Sequence, residues 1–263
     1  MAVDAVTAVA GALVGVVVGL TGVGGGALMT PILLLVFGVA PHTAIGTDLL
    51  FAAATKVVGT AVHHNAGTVD WRIVRRLACG SLPAALATLA WMQWSGAGRI
   101  SAGVLINAVA VALLITALGM LFKERLHAFG RHLRVDLPQR FKAVQPGLTV
   151  LTGAVLGVMV TLTSIGAGAL GTVALVYLYP LRLTPAKLVG TDLAHAIPLA
   201  LVAGLGHLLL GNVDFALLGN LMLGSVPGVL LGSLLSTRLP QQRVQQAIAV
   251  VLGLVALKLL WVR

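Results

Sequence analysis

The sequence predicts an all-α polytopic membrane protein that consists of two inverted repeats of about four to five helices each. Three observations support this fold class: the composition, the continuity of the apolar segments and the repetition of motifs along the chain. Of the 263 residues, 59% are hydrophobic and 9% are charged, and the mean hydropathy is +1.04. Soluble globular domains carry about 25% charged residues, so the composition is that of a membrane protein.

The apolar segments are continuous and do not alternate with polar residues, which predicts helices and not the strands of a barrel. Their expected bounds are 5–20, 27–39, 44–63, 74–94, 100–122, 147–163, 169–181, 187–209, 214–236 and 244–262. Most approach the roughly 20 residues that a helix needs to cross a bilayer. The segments 27–39 and 169–181 are shorter, about 20 Å of helix each at 1.5 Å per residue, and each follows a glycine cluster.

The net charge of +10 reflects the membrane topology. On the expected boundaries, one side of the membrane holds 13 of the 17 basic residues: Arg72, Arg75, Arg76, Lys123, Arg125, Arg131, Arg134, Arg140, Lys142, Arg182, Lys187, Arg238 and Arg243. The other side holds Arg99 and Arg263. By the positive-inside rule the rich side is cytoplasmic, so we expect a multi-pass inner-membrane protein with both chain ends outside. The basic residues do not indicate a nucleic-acid partner.

Matching motifs show that the chain repeats itself. The pairs are TGVGGGAL (21–28) with TSIGAGAL (163–170), GTDLLFAAA (46–54) with GTDLAHAIP (190–198), and GTVDW (67–71) with GNVDF (211–215). The offset is 142 for the first pair and 144 for the other two. This regularity predicts a first repeat over 1–122, a basic cytoplasmic linker over 123–145 and a second repeat over 146–263.

Charge indicates that the two repeats are inverted. GTVDWRIVRR carries three arginines while its twin GNVDFALLGN carries none, and GVAPHTA (38–44) has no basic residue while LRLTPAK (181–187) has two. Equivalent loops therefore lie on opposite sides of the membrane. In inverted-repeat transporters, short helices interrupted by glycine meet near the bilayer midplane. Their N-terminal N–H groups and positive dipole ends suit an anion.

The glycine-rich breaks, the motif P-x-x-x-x-G-T at 41–47 and 185–191, and HHNAGTVDWRIVRRLACGSLPA (63–84) are similar to the TauE/SafE family of membrane transporters. This family is also called the toluene-sulfonate uptake permease group, and the resemblance covers nearly the whole chain. It implies export or uptake of small sulfur-containing or organic anions such as sulfite and sulfonates.

Groups beside the glycine breaks and in the repeated motifs are candidate substrate ligands, because hydroxyl and N–H groups bond to anionic oxygen. The set comprises Thr21, Gly24, Gly25, Gly26, Thr47, Thr163, Ser164, Gly166, Gly168 and Thr191. The alternative is that the hydroxyls satisfy backbone groups that the breaks leave without helical partners.

Lys56 lies twelve residues after the start of its predicted segment, about 18 Å along the helix and close to the bilayer centre. An ionisable group at that depth is costly and indicates function by default. Lys56 either pairs with an acid on another helix or supplies positive charge to an anion site. Its repeat counterpart is Ala200, so a substrate site built around this lysine is asymmetric.

Two carboxylates and three histidines complete the candidates. Asp48 and Asp192 each begin a long segment as GTDL, and His195 lies one helical turn after Asp192. We expect these three residues to act in proton coupling, with N-terminal capping as the alternative for the two aspartates. His63 and His207 are repeat equivalents near helix ends, which suggests gating or pH sensing, with helix capping as the alternative.

These features predict a secondary transporter that works by alternating access and exports small anions. A proton gradient is the expected energy source because the chain carries no ATPase motif. The alternatives are a passive anion channel and an uptake permease for a small carboxylate or sulfonate. No grouping of nucleophile, base and acid predicts an enzyme, and no metal or cofactor is expected. The expected partners are the anion and the lipid bilayer, and a homo-oligomer is compatible with the sequence.

Overall fold

The computed structural model of the chain describes residues 4–21, 26–65, 67–95, 100–136, 138–236 and 241–261. These residues form eleven α-helices and no strand. The helices are α1 (Ala5–Thr21), α2 (Gly26–Leu35), α3 (Pro41–Asn65), α4 (Trp71–Trp94), α5 (Ala102–Leu121), α6 (Lys123–Asp136), α7 (Pro138–Thr163), α8 (Ala169–Leu178), α9 (Pro185–Leu209), α10 (Phe215–Ser236) and α11 (Gln241–Trp261).

Each of the ten predicted segments overlaps one of these helices, and the all-α polytopic fold class is confirmed. Among the described residues, six helices are long and apolar enough to cross a membrane: α4, α5, α7, α9, α10 and α11. Apolar side chains cover the outward faces of these helices, including Leu230, Leu254 and Leu257, which are more than half exposed. In a bilayer such side chains contact lipid, so their exposure carries no penalty.

The structure differs from the expected segments in the linker and in the short helices. Helix α6 lies within the predicted polar linker, and it packs through Gly130 against the backbone of Tyr177 so closely that a Cβ atom would overlap the Tyr177 carbonyl oxygen. Phe129 stacks on the Tyr177 ring with 6.2 Å between centroids. The short helices α2 and α8 contain ten residues each, about 15 Å of helix, which is half the thickness of a bilayer core.

Helix α8 runs back along α7, antiparallel to it. Its last residue, Leu178, accepts a hydrogen bond from the Gln145 side chain in the first half of α7. The Tyr179 hydroxyl forms a 2.8 Å hydrogen bond with Thr149, also in the first half of α7. The segment 169–181 is therefore the returning arm of a hairpin, and its helical part is ten residues long. The backbone between the arms reverses direction because Ser164, Gly166 and Gly168 all have positive φ, at 60°, 121° and 133°.

Helices α3 and α9 form an antiparallel pair inside the molecule. Gly46, near the start of α3, faces His207 near the end of α9, with 3.1 Å between the Cβ position at Gly46 and the Cβ atom of His207. Gly190, near the start of α9, faces Thr68 just beyond the end of α3. Glycine at these two positions leaves room for the loop backbone at Asn212 and at Thr68. The buried Asp, Lys and His residues within the described ranges lie on these two helices: Asp48, Lys56, Asp192, His195 and His207.

The loop before α4 and the loop before α9 meet at one end of the molecule. The carboxylate of Asp70 binds the guanidinium of Arg182 across these loops, at 2.6 Å from Nη2 and 2.7 Å from Nε. Arg76 also reaches the Tyr179 hydroxyl at 3.4 Å. Helix α6, which packs on α8, carries further arginines at the same end. We call this end, defined by loops 67–70 and 179–184 and by α6, the basic end.

Candidate functional site

The centre of the site is the ammonium group of Lys56, which is 3% exposed. Lys56 Nζ donates a 2.8 Å hydrogen bond to the carbonyl oxygen of Ala167. Ala167 belongs to the break between α7 and α8, where the chain leaves helical geometry. A buried carbonyl without a partner costs free energy. The lysine of the first half therefore supplies the hydrogen bond that this carbonyl of the second half lacks within its own helix.

Two buried carboxylates interact electrostatically with Lys56 from different helices: Asp48 on α3 and Asp192 on α9. Both residues are almost completely buried, at 0% and 2% exposed. Neither makes a contact ion pair with the lysine, since the pairs within 4.0 Å among the described residues join His132 to Asp136 and Arg182 to Asp70. The positive charge is therefore shared between two carboxylates and is not committed to either one.

Asp48 is held by the short helix α2. Its Oδ2 atom accepts a 2.5 Å hydrogen bond from the Thr30 hydroxyl. Its Oδ1 atom has no hydrogen-bond partner among the described residues, and neither has the buried hydroxyl of Ser164. Ser164 interacts with Asp48 electrostatically, so an unsatisfied carboxylate oxygen and an unsatisfied hydroxyl lie near each other beside the break.

Asp192 lies against the first turn of the other short helix, α8. A Cβ atom at Gly171 would overlap Asp192 Oδ1, so only glycine leaves room for this carboxylate. The neighbouring Thr172 side chain interacts with Asp192 and donates a hydrogen bond to the carbonyl oxygen of Gly168. The N-terminal end of α8 carries partial positive charge that favours a carboxylate there. Asp192 Oδ1 has no hydrogen-bond partner within the described ranges.

Sequence reasoning missed Thr30, Gly171 and Thr172, although the repeat contains a signal for them. Thr30 and Thr172 are separated by 142 positions, the offset of the glycine breaks. Each interacts with the aspartate of the GTDL motif of its own half. Comparing the two halves position by position would have identified both threonines.

The bounds of α3 and α9 exclude capping of their own helices by Asp48 and Asp192. Each aspartate lies seven residues after the first residue of its helix, Pro41 or Pro185. Helix α9 is capped by Thr184, whose hydroxyl accepts from the Lys187 N–H at 3.3 Å. The helices start earlier than the expected 44 and 187, which places both carboxylates about two turns inside their helices.

Thr47 and Thr191 make matching contacts between the two halves. The Thr47 hydroxyl accepts a 3.1 Å hydrogen bond from the backbone N–H of Asp214, and the Thr191 hydroxyl accepts a 3.0 Å bond from that of Asp70. Both threonines are fully buried. Each fastens the loop that precedes α10 or α4 to a central helix, and their assignment as substrate ligands stays a prediction.

The other predicted ligands are distributed over the two breaks. The Thr163 hydroxyl donates to Met159 O and accepts from the Ile165 N–H. It therefore bonds to nearby backbone groups, which is the alternative to a role as substrate ligand. Ser164, Gly166 and Gly168 form the α7–α8 turn near Lys56.

In the other break, Gly24 and Gly25 lie outside the described residues. Thr21 ends α1 and Gly26 begins α2, and the side chain of Thr21 also lies outside the description.

The described histidines bridge helices. His195, one turn after Asp192, forms a 2.8 Å hydrogen bond through Nε2 with Ser81 of α4, and its Nδ1 atom is buried without a described partner. His207 Nε2 lies 2.9 Å from the carbonyl oxygen of Thr161, which only accepts, so this nitrogen carries hydrogen. His63 lies in α3, but its side chain is outside the described residues.

Within the described ranges, no group of three or more His, Cys, Asp or Glu side chains is arranged to hold a metal ion. The central groups are instead one ammonium, two carboxylates, hydroxyls and a helix N-terminus. Such groups can bind an oxyanion and exchange protons.

Comparison with known proteins gives consistent matches along the chain. The family model described as Sulfite exporter TauE/SafE matches residues 7–259. The "Probable membrane transporter protein YjnA" of Bacillus subtilis is 38% identical over 255 residues, which cover 95% of this chain and 97% of that protein. The "Probable membrane transporter protein YdhB" of the same organism is 29% identical over 211 residues, 78% of this chain and 79% of that protein. No solved structure gives a significant match.

Proposed function

Because the chain belongs to the sulfite exporter TauE/SafE family of membrane transporters, we propose that it is a proton-coupled secondary transporter of small sulfur-containing or organic anions. Sulfite and sulfonates are the proposed substrates, exported by alternating access. The protein is a multi-pass membrane transporter and not an enzyme. The observation that carries the finer proposal is the buried Lys56 ammonium beside two buried carboxylates at a helix break.

The charges of the site make anion binding depend on protons. With Lys56 protonated and both Asp48 and Asp192 ionised, the three groups sum to one negative charge and repel an anion. When both carboxylates are protonated, the sum is one positive charge, which an anion neutralises. Uncompensated charge in a low-dielectric interior is strongly unfavourable. The anion and protons are therefore expected to bind together.

This coupling sets the direction of transport through the gradients. An excess of anion inside drives anion and protons outward, which agrees with the export named in the family description. An acidic exterior drives them inward, which favours the uptake permease as the second candidate. A reversible carrier performs both, and the gradients in the cell decide between them.

The contacts of the central helices support alternating access between two inverted repeats. Helices α3 and α9 are antiparallel, and corresponding threonines on them hold the loops before α10 and α4. The Thr30–Asp48 pair has its counterpart in Thr172 and Asp192. We infer that the two halves are related by a two-fold axis in the membrane plane, the arrangement in which one half rocks against the other.

Transport in proteoliposomes tests the proposal. Wild-type protein should exchange labelled sulfite for unlabelled sulfite with saturation, and net sulfite movement should carry protons that an entrapped pH dye detects. Lys56→Gln should abolish both signals. Lys258→Gln is the matched control, since this lysine lies in a membrane helix but is exposed. Flux that neither saturates nor exchanges would identify a passive channel, and saturable flux without proton movement would contradict proton coupling.

A further inference from the structure

A small cavity lies between helices α5, α6, α8 and α11, next to the first turn of α8. Its volume is about 10 Å³, and it is lined by Met120, Lys123, Ala169, Thr172, Val173 and Gln245. A buried water needs roughly 10–15 Å³ and two to four polar partners. The Lys123 amine, the Thr172 hydroxyl and the Gln245 amide supply polar groups, so the cavity suits a single water molecule.

The position of the cavity connects the basic end with Asp192. Lys123 is the first residue of α6, the helix that extends to the basic end, and its partly buried side chain lies beside the first turn of α8. Thr172, on the opposite wall, interacts with the Asp192 carboxylate. Lys123 and Asp192 also interact electrostatically across this region. Asp192 does not itself line the cavity, so the Thr172 side chain connects a water there with this buried carboxylate, whose Oδ1 atom has no hydrogen-bond partner among the described residues.

The chemistry of Lys123 suits proton exchange. Burial lowers the pKa of its amine, an effect that the negative charge of Asp192 partly opposes. A lysine that loses its proton more readily than an exposed one can pass that proton to a neighbouring water and recover another from the solvent. Gln245 cannot titrate, so its amide would only hold the water in place.

We propose that one water in this cavity transfers protons between the basic end and the carboxylate of Asp192. In each transfer an N–H or O–H bond breaks and an O–H bond forms: the Lys123 ammonium protonates the water, the water protonates the Thr172 hydroxyl, and that hydroxyl releases its own hydrogen to Asp192. The Thr172 hydroxyl, whose hydrogen bonds to Gly168 O, accepts a hydrogen bond from the water and positions it. This inference rests on the proposed proton coupling and adds to it the route by which protons arrive.

The surroundings of Asp192 restrict other routes. The titratable and polar groups that face it are Lys56 from α3, Lys123 from α6 and Thr172 from α8, with His195 one turn away on its own helix and bonded to Ser81 of α4. Lys56 is buried at the centre of the protein and does not reach solvent.

The test separates proton delivery from anion exchange. Homoexchange of labelled anion needs no net proton transfer, whereas net anion flux does. Lys123→Met and Gln245→Leu should slow net, proton-coupled flux by about 100-fold, the lower range of what a positioned proton-transfer group contributes, and should leave homoexchange near the wild-type rate. Lys123→Arg keeps a donor and should retain part of the net flux. Lys142→Met removes an exposed charge near the same end and should change neither rate.

Homoexchange also reports folding, so a variant that exchanges normally is correctly assembled. Equal slowing of exchange and net flux in Lys123→Met and Gln245→Leu would show a structural role and overturn the inference. Unchanged net flux in both variants would overturn it as well, while leaving proton coupling intact. If the wild-type protein moves anions without protons, the proposed coupling itself fails, and the proton route fails with it.

Discussion

The two halves of the molecule share a scaffold but differ in charge. Both halves carry a glycine break, a short helix, a threonine that interacts with the buried aspartate of a GTDL motif, and a threonine that fastens the opposite loop. Lys56 belongs to the first half alone, since Ala200 occupies the equivalent position in the second. The shared residues build the frame, and the unshared lysine gives the site its positive charge.

A second difference lies at the ends of the molecule. Asp70 and Asp214 make the same capping contacts, with side-chain oxygens accepting from the first N–H groups of α4 and α10. Asp70 in addition binds Arg182 at 2.6 Å. The repeat counterpart of Arg182, 144 positions earlier, is Gly38, so the ion pair fastens the basic end alone.

Among the variants that test this comparison, Lys56→Ala should have the largest effect on stability and anion binding. In Lys56→Ala the charges of Asp48 and Asp192 lose their counter-charge, and the Ala167 carbonyl loses its donor. Removing one partner of a buried charged group costs about 3 to 5 kcal/mol, so the apo protein should melt earlier at neutral pH and anion binding should be lost. Acidification protonates the carboxylates, so the loss of stability should shrink as pH falls. Unchanged anion affinity would remove Lys56 from the site.

Filling the space beside Asp192 should have the next largest effect. In Gly171→Ala the new methyl group overlaps Asp192 Oδ1, and overpacking of this kind costs about 1 to 3 kcal/mol. Thermal unfolding in detergent measures the cost, and transport should fall with it. Gly219→Ala is the control, because no atom lies within 4 Å of its Cβ position. Equal melting of the two variants would mean that the carboxylate does not lie against α8.

Removing the matching hydroxyls should have smaller and similar effects in the two halves. Thr47→Val leaves the Asp214 N–H without its acceptor, and Thr191→Val does the same to the Asp70 N–H. Loss of a hydrogen bond of this kind costs about 0.5 to 1.5 kcal/mol, which the shift in unfolding temperature reports. If only one variant is destabilised, the two fastening contacts are not equivalent.

Breaking the ion pair between Arg182 and Asp70, which only one half has, should have the smallest effect on stability. The Arg182 side chain is 43% exposed, and exposed pairs contribute about 0.2 to 1 kcal/mol. Arg182→Gln should therefore lower stability slightly at low salt and hardly at all at high salt, because ions screen the pair. Arg72→Gln is the control, because it removes the same charge from another arginine. A large, salt-independent loss of stability would show that Arg182 is structurally more important than its exposure indicates.

The sequence was informative where a residue conflicts with its surroundings. Lys56, Asp48 and Asp192 stand out because ionisable groups in apolar segments are costly, and the structure brings all three together. The breaks stand out because they cluster glycine. The Ala167 carbonyl could not be predicted, because a backbone group has no signature in the sequence. Helix α6 was missed because its polar composition resembles a linker, and its packing on Tyr177 depends on the tertiary fold.

The central claim is that anion and protons bind together around Lys56, and the most direct measurement is proton uptake by the purified protein on addition of sulfite or a sulfonate in weakly buffered solution. The wild-type protein should take up protons as it binds the anion, and its affinity should rise as pH falls. Asp48→Asn with Asp192→Asn should bind the anion without proton uptake. Saturable binding by the wild-type protein with no proton uptake between pH 5 and 8 would contradict the account.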